Sequence, residues 1–134
     1  MSYPEAMELA GADILEYESF GSYQGDWWAK VKYNNKQGWV HGSYGPCSGC
    51  DAFQSEFGYE DHKHEGDNYF DPIYDGFKDG CEKCNQVKIR LIDFGKNYLS
   101  EIFTQEEAEK IASEDLSWDM DADEMVKFIK DHSW

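Results

Sequence analysis

The sequence predicts a small α+β domain, a short antiparallel sheet stapled by a metal site and packed with N- and C-terminal helices. Three observations predict it. The alternating stretch Asp26 to Tyr33 runs into turn residues and back through Trp39-Val40-His41. The four cysteines form two C-x-x-C pairs, Cys47 with Cys50 and Cys81 with Cys84. Two capping-box patterns near the C terminus announce helices. At 134 residues the chain has room for one core, so 1–134 reads as a single domain.

Residues 4–17 read as a helix. Pro4 suits the first turn, Glu5 and Glu8 favour the positive end of the helix dipole, and Met7, Leu9, Ala10, Ile14 and Leu15 are apolar, with Gly11 as an interruption. Ser19 to Gly25 reads as a loop. In the hairpin that follows, Trp27, Ala29, Val31 and Tyr33 share one face and Trp28, Lys30 and Lys32 the other. Asn34 to Gly38 is turn chemistry, and the return strand begins at Trp39. Asp51 reads as the N-cap of one or two helical turns, with Gln54 at the capping-box position and Phe53 and Phe57 on one face. Residues 58–80 form a long acidic and aromatic loop, a length that is usually functional or mobile.

After Cys84, Val87, Ile89, Leu91 and Asp93 alternate with Lys88, Arg90, Ile92 and Phe94, which predicts a strand over 86–94. Gly95-Lys96-Asn97 then reads as a turn before a short stretch from Tyr98 to Phe103. Thr104 with Glu107 predicts a helix to about Leu116, and Asp121 with Glu124 a second to about His132, so 104–132 is a C-terminal helix pair.

Two thiolates at i and i+3 on a tight turn can face one tetrahedral cation. Cys47, Cys50, Cys81 and Cys84 together would complete a closed structural Zn²⁺ site, with iron as an alternative occupant. Two disulfides, or a thioredoxin-like redox pair at a helix start in a βαβ unit, are the other readings of the same cysteines. His41, His62 and His64 could each replace a cysteine, and His62-x-His64 beside Glu65 and Asp67 also reads as an ordinary surface loop. If both pairs hold one metal, 51–80 projects as a lobe closed at its base. Asp119-x-Asp121-x-Asp123 fails as a calcium loop, because Glu124 stands where that loop needs Gly and Lys130 where it needs Glu.

The run Gly42-Ser43-Tyr44-Gly45-Pro46-Cys47-Ser48-Gly49-Cys50-Asp51-Ala52-Phe53 resembles the GSYGSCSGCDA signature of small bacterial and phage proteins of uncharacterised function. The match spans about residues 22–57 and departs from the signature at Pro46, where Ser is usual. It implies kinship and carries no activity. Trp28 to Tyr44 is also similar to the central hairpin of bacterial SH3 domains.

With 28 acidic and 12 basic residues, the formal net charge is −16. Such a chain is unsuited to direct contact with a phosphate backbone. Its 5 Trp, 9 Tyr and 8 Phe are too many for a disordered acidic tail. The charge is uneven: residues 51–82 hold ten acids and two bases, residues 99–134 hold eleven and three, and 83–98 between them are mildly basic with one and four. The chain contains no apolar run of membrane-spanning length and no charged-then-apolar leader, which predicts a cytoplasmic protein (the host cytoplasm, if phage-encoded) without membrane contact.

The motifs of nucleotide cradles, nucleophile elbows and H-E-x-x-H proteases are missing from the sequence, and the expectation is a protein that is not an enzyme. The expected function is an acidic protein-binding module, a phage-type inhibitor (anti-CRISPR or similar anti-defence protein). It would occupy the nucleic-acid groove of a basic host protein, such as a nuclease effector, by mimicry. The contact residues expected are Tyr59, Glu60, Asp61, Glu65, Asp67, Tyr69, Asp71, Tyr74, Asp75, Asp119, Asp121 and Asp123. A housekeeping zinc-stabilised interaction domain, or a small enzyme with 58–80 as an active-site cover, are the alternatives.

Overall fold

Gly11 decides the first topological step. At φ +106° it takes the left-handed conformation that closes a helix, and helix α1 spans only Tyr3–Leu9. Gly11 N–H donates to the Glu8 carbonyl at 3.0 Å and Ala12 N–H to the Met7 carbonyl at 3.1 Å, the paired bonds of a Schellman stop. The chain then becomes strand β1, Asp13–Gly21. The computed structural model describes residues 2–21, 24–46, 51–58, 60–64, 69–114 and 119–134.

The predicted helix over 4–17 is thus corrected to a short helix and a strand; of the loop expected over 19–25, residues 19–21 end that strand and Gly25 opens the next, while residues 22 and 23 lie outside the described residues. A bulge between Ile14 and Glu16 explains the misreading. It adds one residue, so Ile14 and Tyr17 both face the same core although three positions apart, which imitates a helical spacing. Strand β2, Gly25–Tyr33, pairs antiparallel with β1 on one side and with β3, Lys36–Tyr44, on the other. The β2–β3 turn is tighter than predicted. Asn34 and Asn35, at φ 51° and 65°, form a two-residue loop, and Tyr33 already pairs with Lys36.

Because β2 is central, its alternating faces fill two cores. Trp27, Ala29 and Val31 pack with α1 and with helix α4, Glu82–Leu99. Trp28, on the opposite face, packs with Trp39, Phe20 and two C-terminal helices, α5 (Gln105–Glu114) and α6 (Asp119–Asp131). The sheet is therefore sandwiched between helix pairs. Trp27, Trp28 and Trp39 are fully buried. Each withdraws roughly 150–250 Å² from water, an upper value of about 4–6 kcal/mol. Trp28 donates to Met125 Sδ at 3.3 Å and Trp39 to Gln105 Oε1 at 2.8 Å, so these indoles are buried with their polar ends partnered.

The 86–94 strand is corrected to helix. Cys84, Val87, Leu91, Gly95 and Leu99 form the buried stripe of α4, a period between three and four sustained from Cys84 to the end of the helix. The alternation that suggested a strand depended on Ile89, which is 60% exposed. Gly95 is inside this helix, not in a turn, and lets α1 cross closely. A Cβ there would collide with the Ala6 carbonyl, with its carbon at 2.6 Å and Met7 N at 2.9 Å.

Helix α2, Ala52–Phe57, has Asp51 as its N-cap, accepting from Gln54 N–H at 3.1 Å, with Phe53 and Phe57 buried. Gln54 does not reach back to the cap. Its side chain donates to the Gly45 carbonyl at 3.1 Å, while Gly45 N–H donates to Asp51 Oδ2 at 3.0 Å. The buried Asp51 also accepts from the Tyr3 hydroxyl at 2.8 Å. This clamp ties the end of β3 to α2 and α1. At the C terminus the Thr104–Glu107 box forms as predicted, with bonds of 3.0 and 3.2 Å in the two directions. Helix α6 is already described from Asp119, two residues before the expected cap, so Asp121 lies within the helix.

A candidate metal centre

The described residues of 58–80 include two short strands and a helix. A two-stranded hairpin, β4 (His62–Lys63) with β5 (Tyr69–Phe70), is followed by the short helix α3, Pro72–Asp75. Asp71 caps α3 by accepting from Ile73 N–H at 2.9 Å, and the buried Pro72 and Ile73 anchor it. Gly80, at φ +79°, then turns the chain into α4.

Period-two spacing puts His62 and His64 on one side of the β4 segment. Cys81 is the N-cap of α4 and Cys84 lies one turn later on the same face. The two pairs meet. His62 Nε2 is 3.2 Å from Cys81 Sγ and 3.4 Å from Cys84 Sγ, and His64 Nε2 is 3.3 Å from Cys84 Sγ. All four ligand atoms lie within 4.8 Å of one another, and this cluster could hold a metal ion. Tetrahedral bonds of about 2.0–2.1 Å to nitrogen and 2.3 Å to sulfur require N···S edges of about 3.6 Å, close to those found.

Protonation suits the same purpose. His62 Nδ1 is 3.0 Å from the Glu60 carbonyl; donating there leaves Nε2 free to bind a metal. That bond, more than any other contact, raises the His62 pKa. The Cys84 backbone N–H is the main influence bringing the Cys81 thiol down to about 6, with His62, Cys84 and His64 side chains assisting against burial. Burial pushes the Cys84 thiol up. Arg90 holds the segment carrying His62: its guanidinium pairs with Glu60 at 2.8 Å and Glu56 at 3.2 Å, and lies 5.2 Å from the Phe57 ring centre. A cleft of about 280 Å³ lies alongside, between Glu60, His62, Lys83, Gln86 and Arg90.

Of the predicted four-cysteine set, Cys81 and Cys84 are in this cluster, and Cys47 and Cys50 lie outside the described residues. The sequence offered His62 and His64 as substitute ligands but favoured a surface loop for them. The signal that would have promoted them is an H-x-H pair separated from C-x-x-C by sixteen residues. His41 is elsewhere, stacked on Trp28 at 4.5 Å and 3.1 Å from Asp26 Oδ1.

Of the expected partner-contact residues, Tyr69 and Tyr74 are 67% and 83% exposed, and Asp61, Asp75 and Asp123 are exposed. Glu60 is engaged by Arg90, and Asp71 by its own helix. Asp75 also accepts from Asp71 N–H at 3.0 Å. Tyr59, Glu65 and Asp67 lie outside the described residues, and Asp119 and Asp121 are located only as backbone of α6. Among the described residues no helix is long and apolar enough to cross a membrane.

No protein-family model, curated protein or solved structure matches the chain.

Proposed function

We propose that the chain is a zinc-stapled acidic module that binds a basic protein surface. The observation that carries it is the convergence of His62, His64, Cys81 and Cys84, which joins the 60–75 segment to the start of α4. An N₂S₂ donor set of imidazole and thiolate suits zinc among common divalent ions. Four protein ligands leave no position for a reacting water, so the ion would be a folding element. The residues would supply two neutral imidazoles and two thiolates, and the metal would convert a small, sparsely packed segment into a fixed one.

Beyond the staple, Tyr69, Tyr74, Asp61 and Asp75 are all exposed, on a chain of net charge −16. Exposed aromatics interleaved in sequence with carboxylates suit a Lys/Arg-rich partner: the rings supply apolar anchors and the charges speed encounter. The concrete form we favour is occupation of a nucleic-acid groove on a host effector, so that the chain acts as an inhibitor. Kinship with the GSYGSCSGCDA proteins is proposed alongside it, on residues 42–53.

Competition tests this reading. The zinc-loaded chain is immobilised and offered a panel of nucleic-acid-binding proteins, with duplex DNA and salt as competitors. A partner displaced by duplex DNA, released steeply by salt and lost on Tyr69→Ala with Tyr74→Ala supports mimicry. Binding indifferent to DNA and salt overturns it.

A further inference from the structure

We infer that the metal centre is a thiol switch: oxidation of Cys81 and Cys84 to one disulfide expels the metal and frees the β4–β5 hairpin from α4. This rests on the zinc-staple reading and adds its regulation.

The geometry divides the labour between the two cysteines. Cys81, at the N-cap, is partly open to solvent, whereas Cys84 one turn on is completely buried. Their sulfurs lie within 4.8 Å of one another and of both imidazole nitrogens. One helical turn brings the two Cα atoms to about 5 Å, inside the range a disulfide spans. A partly exposed cysteine beside a buried neighbour is the arrangement of an attacking and a resolving thiol.

The oxidant is a peroxide. Cys81 Sγ attacks one peroxide oxygen; the S–O bond forms as the O–O bond breaks and hydroxide leaves. Cys84 Sγ then attacks the Cys81 sulfenic sulfur, forming the S–S bond and releasing the second hydroxide. Two thiolates lose two electrons in all, and the peroxide, taking those electrons and two protons, becomes two waters. Thiolate donors are thereby converted into a disulfide with no charge to offer a cation. His62 and His64 are left as the only strong ligands of the set, and two imidazoles hold a divalent ion far more weakly than an N₂S₂ site.

The consequence is mechanical. The described hairpin is only two residues long in each strand, too short to persist by itself. The staple links it to α4 through both histidines. Oxidation removes that link and leaves Lys63, already exposed, on a loosened segment.

The experiment titrates the zinc-loaded full chain with hydrogen peroxide. Released zinc is read with a metallochromic dye and the cysteines by tryptic mapping. Trypsin cuts after Lys83, between the two cysteines, so their disulfide appears as two linked peptides. The expected result is zinc release in one-to-one proportion with that linked species, faster tryptic cutting at Lys63, and full reversal by dithiothreitol with added zinc. Zinc retained under excess peroxide overturns the switch. So does zinc lost with Cys81 joined to Cys47 or Cys50, or over-oxidised without a disulfide. Zinc content before peroxide tests the staple separately: a chain that never binds zinc refutes the staple, and one that keeps it under peroxide refutes only the switch.

Discussion

Replacing Gly95 by Ala sets two effects of opposite sign against each other. At an ordinary exposed helix position the change stabilises by about 1 kcal/mol, because alanine loses less backbone freedom. In α4 the new Cβ would collide with the Ala6 carbonyl of α1, with Met7 N at 2.9 Å. These are backbone atoms, so no rotamer change relieves the contact; α1 must retreat by about 1 Å. Such a retreat disturbs Tyr3, Ala6 and Met7, all buried, and their packing on Trp27 and Phe94. Overpacking of this kind costs about 1–3 kcal/mol, and an unyielding backbone contact places it at or above the upper end. The net expectation is a loss of about 2 kcal/mol, or roughly 6–10 °C in Tm for a domain of this size. Thermal and urea unfolding of the zinc-loaded protein measure it. Because Cys84 is eleven residues away, about 16 Å along α4, bound metal should be unchanged. A neutral or stabilised Gly95→Ala protein refutes the close α1–α4 crossing.

Tyr3→Phe should cost about 1–3 kcal/mol in urea unfolding, since buried Asp51 loses a donor and Phe53 N–H, 3.2 Å from the Tyr3 oxygen, loses its acceptor; an unchanged midpoint contradicts the clamp. Metal affinity should weaken in acid. Burial raises the Cys84 thiol and the Glu60 bond raises His62, so metal binding must displace protons from these ligands. Below about pH 6 protonation of Cys81 steepens the loss; calorimetry in buffers of different ionisation heat counts the protons released, and a flat profile contradicts the ligand assignment. Thr104→Ala should cost about 1 kcal/mol through the lost cap of α5, read from the unfolding midpoint. The Thr104 backbone N–H, with its hydroxyl, holds the Glu107 carboxyl below its ordinary value. Glu107→Gln should therefore lower stability at neutral pH and lose that effect as pH falls through the folded pKa.

What the sequence made legible was chemistry acting over a few residues. The β2–β3 hairpin, the Asp51 and Thr104 caps and the exposed tyrosines each follow from neighbours within about four positions. The failures came where tertiary structure altered a local period. The bulge at Ile14–Glu16 gave a strand the spacing of a helix. In α4 a short alternation concealed the stripe from Cys84 to Leu99, which becomes visible only over the full eighteen residues. The metal centre was half legible. Cys81 and Cys84 announced themselves by spacing, but that His62 and His64 face them depends on a turn at Gly80 and on Arg90 gripping Glu60. Neither contact has a signature at the level of residue spacing.

The central claim, that His62, His64, Cys81 and Cys84 hold one metal ion, is tested most directly by X-ray absorption at the zinc edge on the purified full chain. With zinc as the proposed occupant, the expected result is one ion per chain with two nitrogen neighbours at about 2.0–2.1 Å and two sulfurs at about 2.3 Å. His62→Ala should remove one nitrogen, or the metal altogether. A shell of four sulfurs, or a native chain that takes up no zinc, contradicts it.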